Sequence, residues 1–442
     1  MQLALAAGEV TSMETVNVPA TPFEYSVDGY SYQWGMGNNQ LLDAFVADGH
    51  RFGYASSANR VELRRGDTVN VSTGEPCGLF AERIDETADA QALAPDYPSD
   101  GSDTGNCDLS ALLASRVINR GAVDLFSNMR PDAGNIERLD YIFDYGLLSP
   151  IDRDALGSGG HVMAEKSSNN PVKIAAILEL DVFGNPAAYG PLIEVTASGC
   201  SDPFICYGTT DLGHSYTFLQ NGFEPPQGYP TETDRSDESV GMALLPTSIL
   251  GLHPGQRYYG FSVFADDVDR NLHDLSDPAT FPRDTHDPDI ATGDDADLYG
   301  GLSGYFLADD VVVAKGRVFI DNNADRQSDE GEPGISDLEV NVYADADGNG
   351  VFDPVQDPPM SDPIVSDLSG DFLFPALPDG MYFVVLQESD EDMPPGLQIA
   401  DGINPWPISV DGNDPEPVLF AFDNLSGGGR WLGRNRWRYQ RW

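Results

Sequence analysis

The sequence predicts an all-β chain: a large β-sandwich or jelly-roll-like N-terminal domain, then a smaller immunoglobulin-like sandwich. Three observations carry that expectation. Apolar runs are short, about four to eight residues, and are bounded by turn residues, which is the pattern of strands. Gly (46) and Pro (32) punctuate the chain throughout. Helical spacing is scarce, and the one clear case is the segment opened by the N-cap residue Asp108, Asp108-Leu-Ser-Ala-Leu-Leu-Ala-Ser-Arg-Val-Ile-Asn119.

Taken in order, residues 1–14 read as the remainder of a leader or a flexible arm, because Ala4-Leu5-Ala6 is an A-x-A-like site behind an apolar start. Residues 15–312 form the β-rich N-terminal domain. Val61-Glu-Leu-Arg-Arg, Lys173-Ile-Ala-Ala-Ile-Leu-Glu-Leu and Arg257-Tyr-Tyr-Gly-Phe-Ser-Val-Phe are its clearest strands. At Val311 the texture changes, and residues 313–425 read as a second sandwich. Its strands are Val311–Ile320, Leu338–Tyr343, Asp371–Phe374 and Met381–Leu386. Residues 426–442 are a basic, aromatic tail containing Arg430, Arg434, Arg436, Arg438 and Arg441 and no acid.

Charge narrows the function. The chain carries 72 Asp+Glu against 24 Lys+Arg, a formal net charge of −48 over 442 residues. Such a surface repels phosphate, so nucleic acid is excluded as a partner and an anionic membrane is disfavoured. No apolar run is long enough to span a bilayer. Asp outnumbers Glu more than twofold, and Asp belongs to turns and to loops that chelate hard cations. Adaptation to high salt would give the same bias and is compatible with calcium binding. Four cysteines fall in two local groups, Cys77 with Cys107 and Cys200 with Cys206, which suggests two disulfides and a secreted, extracellular or cell-surface protein. Four cysteines permit three connectivities.

The sharpest constellation is Asp321–Glu332. Oxygen donors stand at Asp321, Asn323, Asp325, Asp329 and Glu332, positions 1, 3, 5, 9 and 12 of a loop, with the Gln327 carbonyl at 7. That spacing wraps six or more oxygens around one Ca2+. Arg326 replaces the usual glycine at position 6, so the turn must be made otherwise. A second loop repeats the pattern with Asp345, Asp347, Asn349 and Asp353 and ends at Gln356 or Asp357, with no acid at position 12.

On these residues the stretch resembles the SdrD B-type repeat of bacterial surface adhesins, a calcium-binding relative of the Cna B-type, prealbumin-like domain. The resemblance covers about residues 313–423. It also rests on Glu332-Pro-Gly-Ile335, Val340-Asn-Val-Tyr343, Ser366-Asp-Leu-Ser-Gly-Asp-Phe-Leu-Phe374 and Leu377-Pro-Asp-Gly-Met-Tyr-Phe383. It implies that Asp321, Asn323, Asp325 and Glu332 are calcium ligands, that Asp367 completes a site, and that the module is a stalk or fibre element without catalytic activity. The insertion Asp345–Asp357 departs from the family pattern.

Other acidic loops, Asp96–Asp108, Asp284–Asp297 and Asp266–Asn271, are open to calcium or simply solvated. Six scattered histidines, His50, His161, His214, His253, His273 and His286, have no ligand spacing, and no catalytic motif stands in context. The expected function is therefore a secreted, calcium-binding structural protein, a fibre subunit or adhesin rather than an enzyme. It would associate with itself, through 430–442, or with other surface proteins or glycans. The alternative is a polysaccharide-binding module or glycan-active enzyme with its site in the N-terminal domain. The tail alternates arginines with Trp437 and Tyr439, so it reads either as an assembly strand added to an acidic neighbour or as an unstructured end.

Overall fold

In a computed structural model the described residues are 10–19, 23–27, 30–34, 38–65, 68–69, 78–83, 113, 116–118, 120–123, 125–126, 137–166, 168–196, 205–213, 215–220, 239–282, 296, 298–390, 392–400 and 402–423. They are nearly all strand, as the apolar pattern requires. Among them one eleven-stranded and one eight-stranded sheet enclose the N-terminal core. The larger runs Val10–Pro19, Asn38–Ala47, His50–Ser57, Gly304–Ala308, Gly159–Lys166, Leu298–Tyr299, Arg120–Val123, Gly78–Arg83, Ser215–Gln220, and Ser239–Pro246 also flanks Gly159–Lys166. The smaller runs Ile205–Cys206, Ile193–Thr196, Val172–Leu180, Arg257–Phe264, Arg138–Leu148, Arg60–Arg65, Thr68–Val69. Phe45, Phe52, Tyr141, Phe261 and Phe306 fill the space between, all fully buried.

Two expectations change. Residues 10–14, assigned to an arm, begin a ten-residue strand paired with Asn38–Ala47; its Val and Thr content favours an extended backbone. Of the expected helix, Leu113 is helical and buried, but Val117 already bridges to Leu41, so the segment has left the helix by that residue. The rest of that segment lies outside the described residues.

The smaller sheet carries a polar row on its outer face. Val61, Leu63, Leu139 and Tyr141 point into the core, so the alternation sends Glu62, Arg64, Arg138 and Asp140 the other way. Register places Asp140 between Ser262 and Glu62, and Arg138 beside Arg64. Asp140 is fully buried. Its Oδ1 accepts from Arg138 Nε at 2.7 Å and Ser262 Oγ at 2.6 Å, and its Oδ2 from Arg138 Nη2 at 3.0 Å and Arg64 Nε at 3.1 Å. Tyr189 and the Leu275 carbonyl, which accepts from Arg138 Nη1 at 2.6 Å, close over the row. Burial opposes the Asp140 charge, yet the two arginines hold its carboxyl below the ordinary value.

His161 sits at the opposite extreme, neutral in the aromatic core among Phe143, Tyr258, Phe261 and Tyr305. Nδ1 donates to the Gly304 carbonyl at 2.9 Å, so Nε2 accepts from the Tyr258 hydroxyl at 2.9 Å. Desolvation lowers its pKa from 6.5 to about 4, against the Gly304 bond, which raises it. The unfolded chain therefore binds the proton first as pH falls. The stability that neutral His161 contributes is complete above pH 6.5 and is lost between 6.5 and about 4. Urea unfolding at pH 7.5 and 4.5 is expected to show about 2.5 kcal/mol more acid destabilisation in the wild type than in His161→Gln. Equal losses in both would refute the assignment.

The C-terminal unit is a seven-stranded sandwich among the described residues. One sheet runs Asp371–Pro375, Val313–Asp321, Val418–Asp423, and the last two are parallel. The other runs Ile364–Val365, Glu339–Ala344, Gly380–Leu386, Trp406–Val410. Ala314, Val318, Ile320, Val340, Val342, Phe374, Val384, Ile408 and Phe420 form its separate core. The N-terminal unit reaches into it: Leu148 and Ile151 join that core, and the N–H groups of Ile151 and Asp152 donate to the carbonyls of Pro375 and Ala376 at 2.9 and 2.8 Å. Asp362 clasps the other side, accepting from the Arg257 N–H at 2.9 Å and donating its own N–H to the Gly255 carbonyl at 2.8 Å. Gly255 has φ +66°, and a Cβ there would meet the Met360 carbonyl oxygen at 2.8 Å, so only glycine fits this approach.

Candidate metal-binding loops

The strand Val313–Asp321 runs directly into the first acidic loop, and Glu339–Ala344 runs into the second. The two loops share one scaffold of backbone hydrogen bonds. In the first, Asp321 Oδ1 accepts from the Ala324 N–H at 2.6 Å and Oδ2 from the Arg326 N–H at 2.9 Å. Asn323 Oδ1 accepts from the Asp325 N–H at 2.9 Å, and Asp325 Oδ1 from the Gln327 N–H at 2.8 Å. Glu332 closes the loop: Oε1 accepts from the Asn322 N–H at 2.8 Å and Oε2 from the Asp329 N–H at 3.1 Å.

The second loop repeats this almost position for position. Asp345 accepts from the N–H groups of Asn349 and Gly350 at 3.1 and 3.0 Å. Asp347 Oδ1 takes the Asn349 N–H at 3.0 Å, and Asn349 Oδ1 the Val351 N–H at 2.6 Å. The closing residue is Asp357, whose oxygens accept from the Ala346 and Asp353 N–H groups at 3.2 and 2.8 Å. Asp357 thus stands where Glu332 stands, one residue later in a loop that is one residue longer. The sequence places Asp357 at the loop's end but gives no reason to make it a ligand.

The turn at position 6 is made by Arg326 itself, which adopts φ +66° beside Ala324 at φ +62°. Non-glycine residues in this region carry strain. The Asp321 carboxylate holds both, since it takes their two N–H groups. Arg317 anchors the base of the loop, donating to Ser328 Oγ at 2.6 Å, the Glu332 carbonyl at 3.1 Å and the Ser369 carbonyl at 3.0 Å.

Among the described residues, Asp321, Glu332 and Asp357 are the buried carboxylates of this unit, at 2, 7 and 2% exposure. A buried carboxylate is costly unless it is hydrogen-bonded or paired with a cation. Each here has two backbone donors, which leaves further lone pairs for a metal. Asp345, Asp347 and Asp357 each bring one oxygen within 4.8 Å of the others. In the first loop an amide occupies the centre: Asn323 Nδ2 donates to Asp325 Oδ2 at 3.1 Å and to Asp329 Oδ2 at 2.8 Å. The donor set of both loops, hard oxygens on short segments, fits calcium.

Three sequence expectations land differently. Asp353 stands apart from the carboxylate triad: Oδ1 accepts from the Val355 N–H at 2.9 Å and Oδ2 from Gln356 Nε2 at 2.8 Å, while its own N–H supports Asp357. Asp367 shapes its own turn, with Oδ1 accepting from Ser369 and Asp371 N–H groups at 2.8 and 2.9 Å, and Arg317 ties that turn to the first loop through the Ser369 carbonyl and the Asp371 carboxylate. In Asp266–Asn271 a cation is already supplied by the chain, because Lys173 Nζ donates to the Asp266 carbonyl and, at 3.1 Å, to that of Val268. Cys206 is buried and carries no free thiol. Cys77, Cys107 and Cys200, the loop Asp96–Asp108, nearly all of Asp284–Asp297 and the tail 426–442 lie outside the described residues.

Among the described residues no helix is long and apolar enough to cross a membrane. No family model matches the chain, and no curated protein matches it. Among solved structures the chain is similar to the pilus 2b backbone protein of group B streptococcus, at 7% identity over 65% of this chain and 92% of that one, with a TM-score of 0.17. So low a TM-score lends no argument to fold or function; the all-β architecture rests on the chain's own strands.

Proposed function

We propose that the chain is a secreted, calcium-binding structural protein that serves as a subunit of an extracellular fibre or as an adhesin. The observation that supports this reading best is the doubled loop: two acidic segments of one sandwich share a hydrogen-bond scaffold, and both close on a buried carboxylate. The proposed ligands are Asp321, Asn323, Asp325, the Gln327 carbonyl, Asp329 and Glu332 in the first loop. In the second they are Asp345, Asp347, Asn349 and Asp357. Calcium acts mechanically here. It cancels part of the mutual repulsion of clustered carboxylates and so stiffens one loop that passes between the two sheets and one that joins two strands of the same sheet. The shared core and the Asp362 clasp suit a load-bearing subunit, since they leave no free hinge between the two units at that junction.

Negative-stain electron microscopy of the purified chain, in millimolar calcium and after EDTA, tests the fibre reading. Ordered filaments that loosen in EDTA are expected. Monodisperse particles in both conditions would overturn the polymer and leave an adhesin.

A further inference from the structure

A sandwich of two open sheets has four edge strands, each an invitation to pair with another chain unless covered. Three of the four here are covered. Asp371–Pro375 is capped by the Ile151 N–H on the Pro375 carbonyl at 2.9 Å, and Val418–Asp423 by residues 398–400, with the Ala400 N–H on the Ala421 carbonyl at 2.8 Å. Ile364–Val365 lies against the strand Arg138–Leu148. Among the described residues, nothing covers Trp406–Val410.

Hydrogen-bond parity shows what that edge presents. The Gln387 N–H donates to Glu339 and the Asp345 N–H to Met381, so odd-numbered groups of Gly380–Leu386 face Glu339–Ala344. Leu386 is bonded on its other side to the Asn404 amide, at 3.0 and 2.8 Å, so the even-numbered groups face Trp406–Val410. With the register Tyr382↔Ile408, the inward groups of the edge belong to Trp406, Ile408 and Val410. The outward groups are the carbonyls of Pro407 and Ser409 and the Ser409 N–H. Acid flanks both ends: Glu388, bonded to Asn404 Nδ2 at 2.8 Å, and the exposed Asp411 and Glu416.

We infer that this edge receives the basic tail, Arg430–Trp442, of a second copy of the chain as an added strand. The tail has five arginines, no acid and no proline, so every residue in it can offer an N–H to carbonyls of the edge. Its arginines match the flanking carboxylates, and opposite charge steers the encounter. Tail and edge are different surfaces of one chain, so the contact repeats from copy to copy and builds an open filament wherever the rotation does not close a ring. The inference rests on the fibre reading and names the contact that builds the fibre.

Sedimentation velocity in low salt tests it with three folded variants, checked by circular dichroism. Arg434→Glu/Arg436→Glu/Arg438→Glu disables the tail. Ser409→Pro removes the only outward donor of the edge, and Asp411→Lys/Glu416→Lys is a second edge variant that leaves the backbone untouched. The wild type is expected to assemble, and each variant alone to associate at least tenfold more weakly. A mixture of the tail variant with Ser409→Pro should give 1:1 dimers, since one supplies the edge and the other the tail. Wild-type assembly that all variants reproduce would overturn this contact while leaving the fibre intact; a wild type that stays monomeric would overturn both.

Discussion

In millimolar calcium the chain is expected to melt well above its EDTA value. At free calcium 100-fold above the dissociation constant each loop contributes about 2.7 kcal/mol to the folded form, a rise of about 3 °C per loop for a chain of this length that melts as one unit. The obvious confounder is the −48 net charge, which any divalent cation would screen. The discriminating quantity is the calcium increment over magnesium at equal ionic strength. Asp325→Ala and Asp347→Ala change exposed ligands, so the fold survives while one loop loses a carboxylate. Each is expected to remove about half of the increment, and the pair nearly all of it. Truncating Asp357 to alanine should remove the second-loop half as well, although the notional twelfth position is Gln356. An increment that magnesium reproduces, or that survives Asp325→Ala/Asp347→Ala, would sink the calcium sites.

The strands that were legible share one property: they alternate or run apolar without proline. Val172–Leu180, Arg257–Phe264, Val313–Asp321 and Gly380–Leu386 were each readable to within about two residues on that ground. Trp406–Val410 and Val418–Asp423 were not, because Pro405, Pro407, Pro415 and Pro417 suggest loop. An edge strand tolerates proline wherever its N–H would face outward, and Pro407 does just that. The loops were legible as oxygen spacings, which are properties of side-chain type. The closing role of Asp357 was not, because it depends on which N–H groups the folded backbone aims at its carboxylate. Arg326 at positive φ was equally hidden, since only the Asp321 carboxylate holding that N–H makes the conformation affordable.

Replacing Asp140 by alanine is expected to cost 3–5 kcal/mol, roughly the scale of losing one partner of a buried ion pair. The sequence shows Arg-rich strands that would ordinarily face water. What buries them is the hairpin ending in Tyr189 and the segment through Leu275 and Phe281, which close over the outer face of the sheet. Without Asp140, Arg138 at 2% exposure keeps only the Leu275 carbonyl, and Arg64 falls back on Glu62 and Asn185. Two guanidinium charges are then desolvated against one remaining carboxylate, which accounts for the size of the loss. Because the folded carboxyl titrates below 3.8, its contribution holds from neutral pH down to that value and is lost only as pH falls through the lower folded pKa. The acid loss due to His161 lies higher, between 6.5 and about 4, so urea titrations across pH separate the two. Arg138→Met/Asp140→Leu removes charges of both signs and is expected to recover much of the loss, because an apolar pair of similar volume pays no desolvation. If Asp140→Ala costs under about 1 kcal/mol, or the double variant is worse than the single, the ion pair does not hold this face of the sheet.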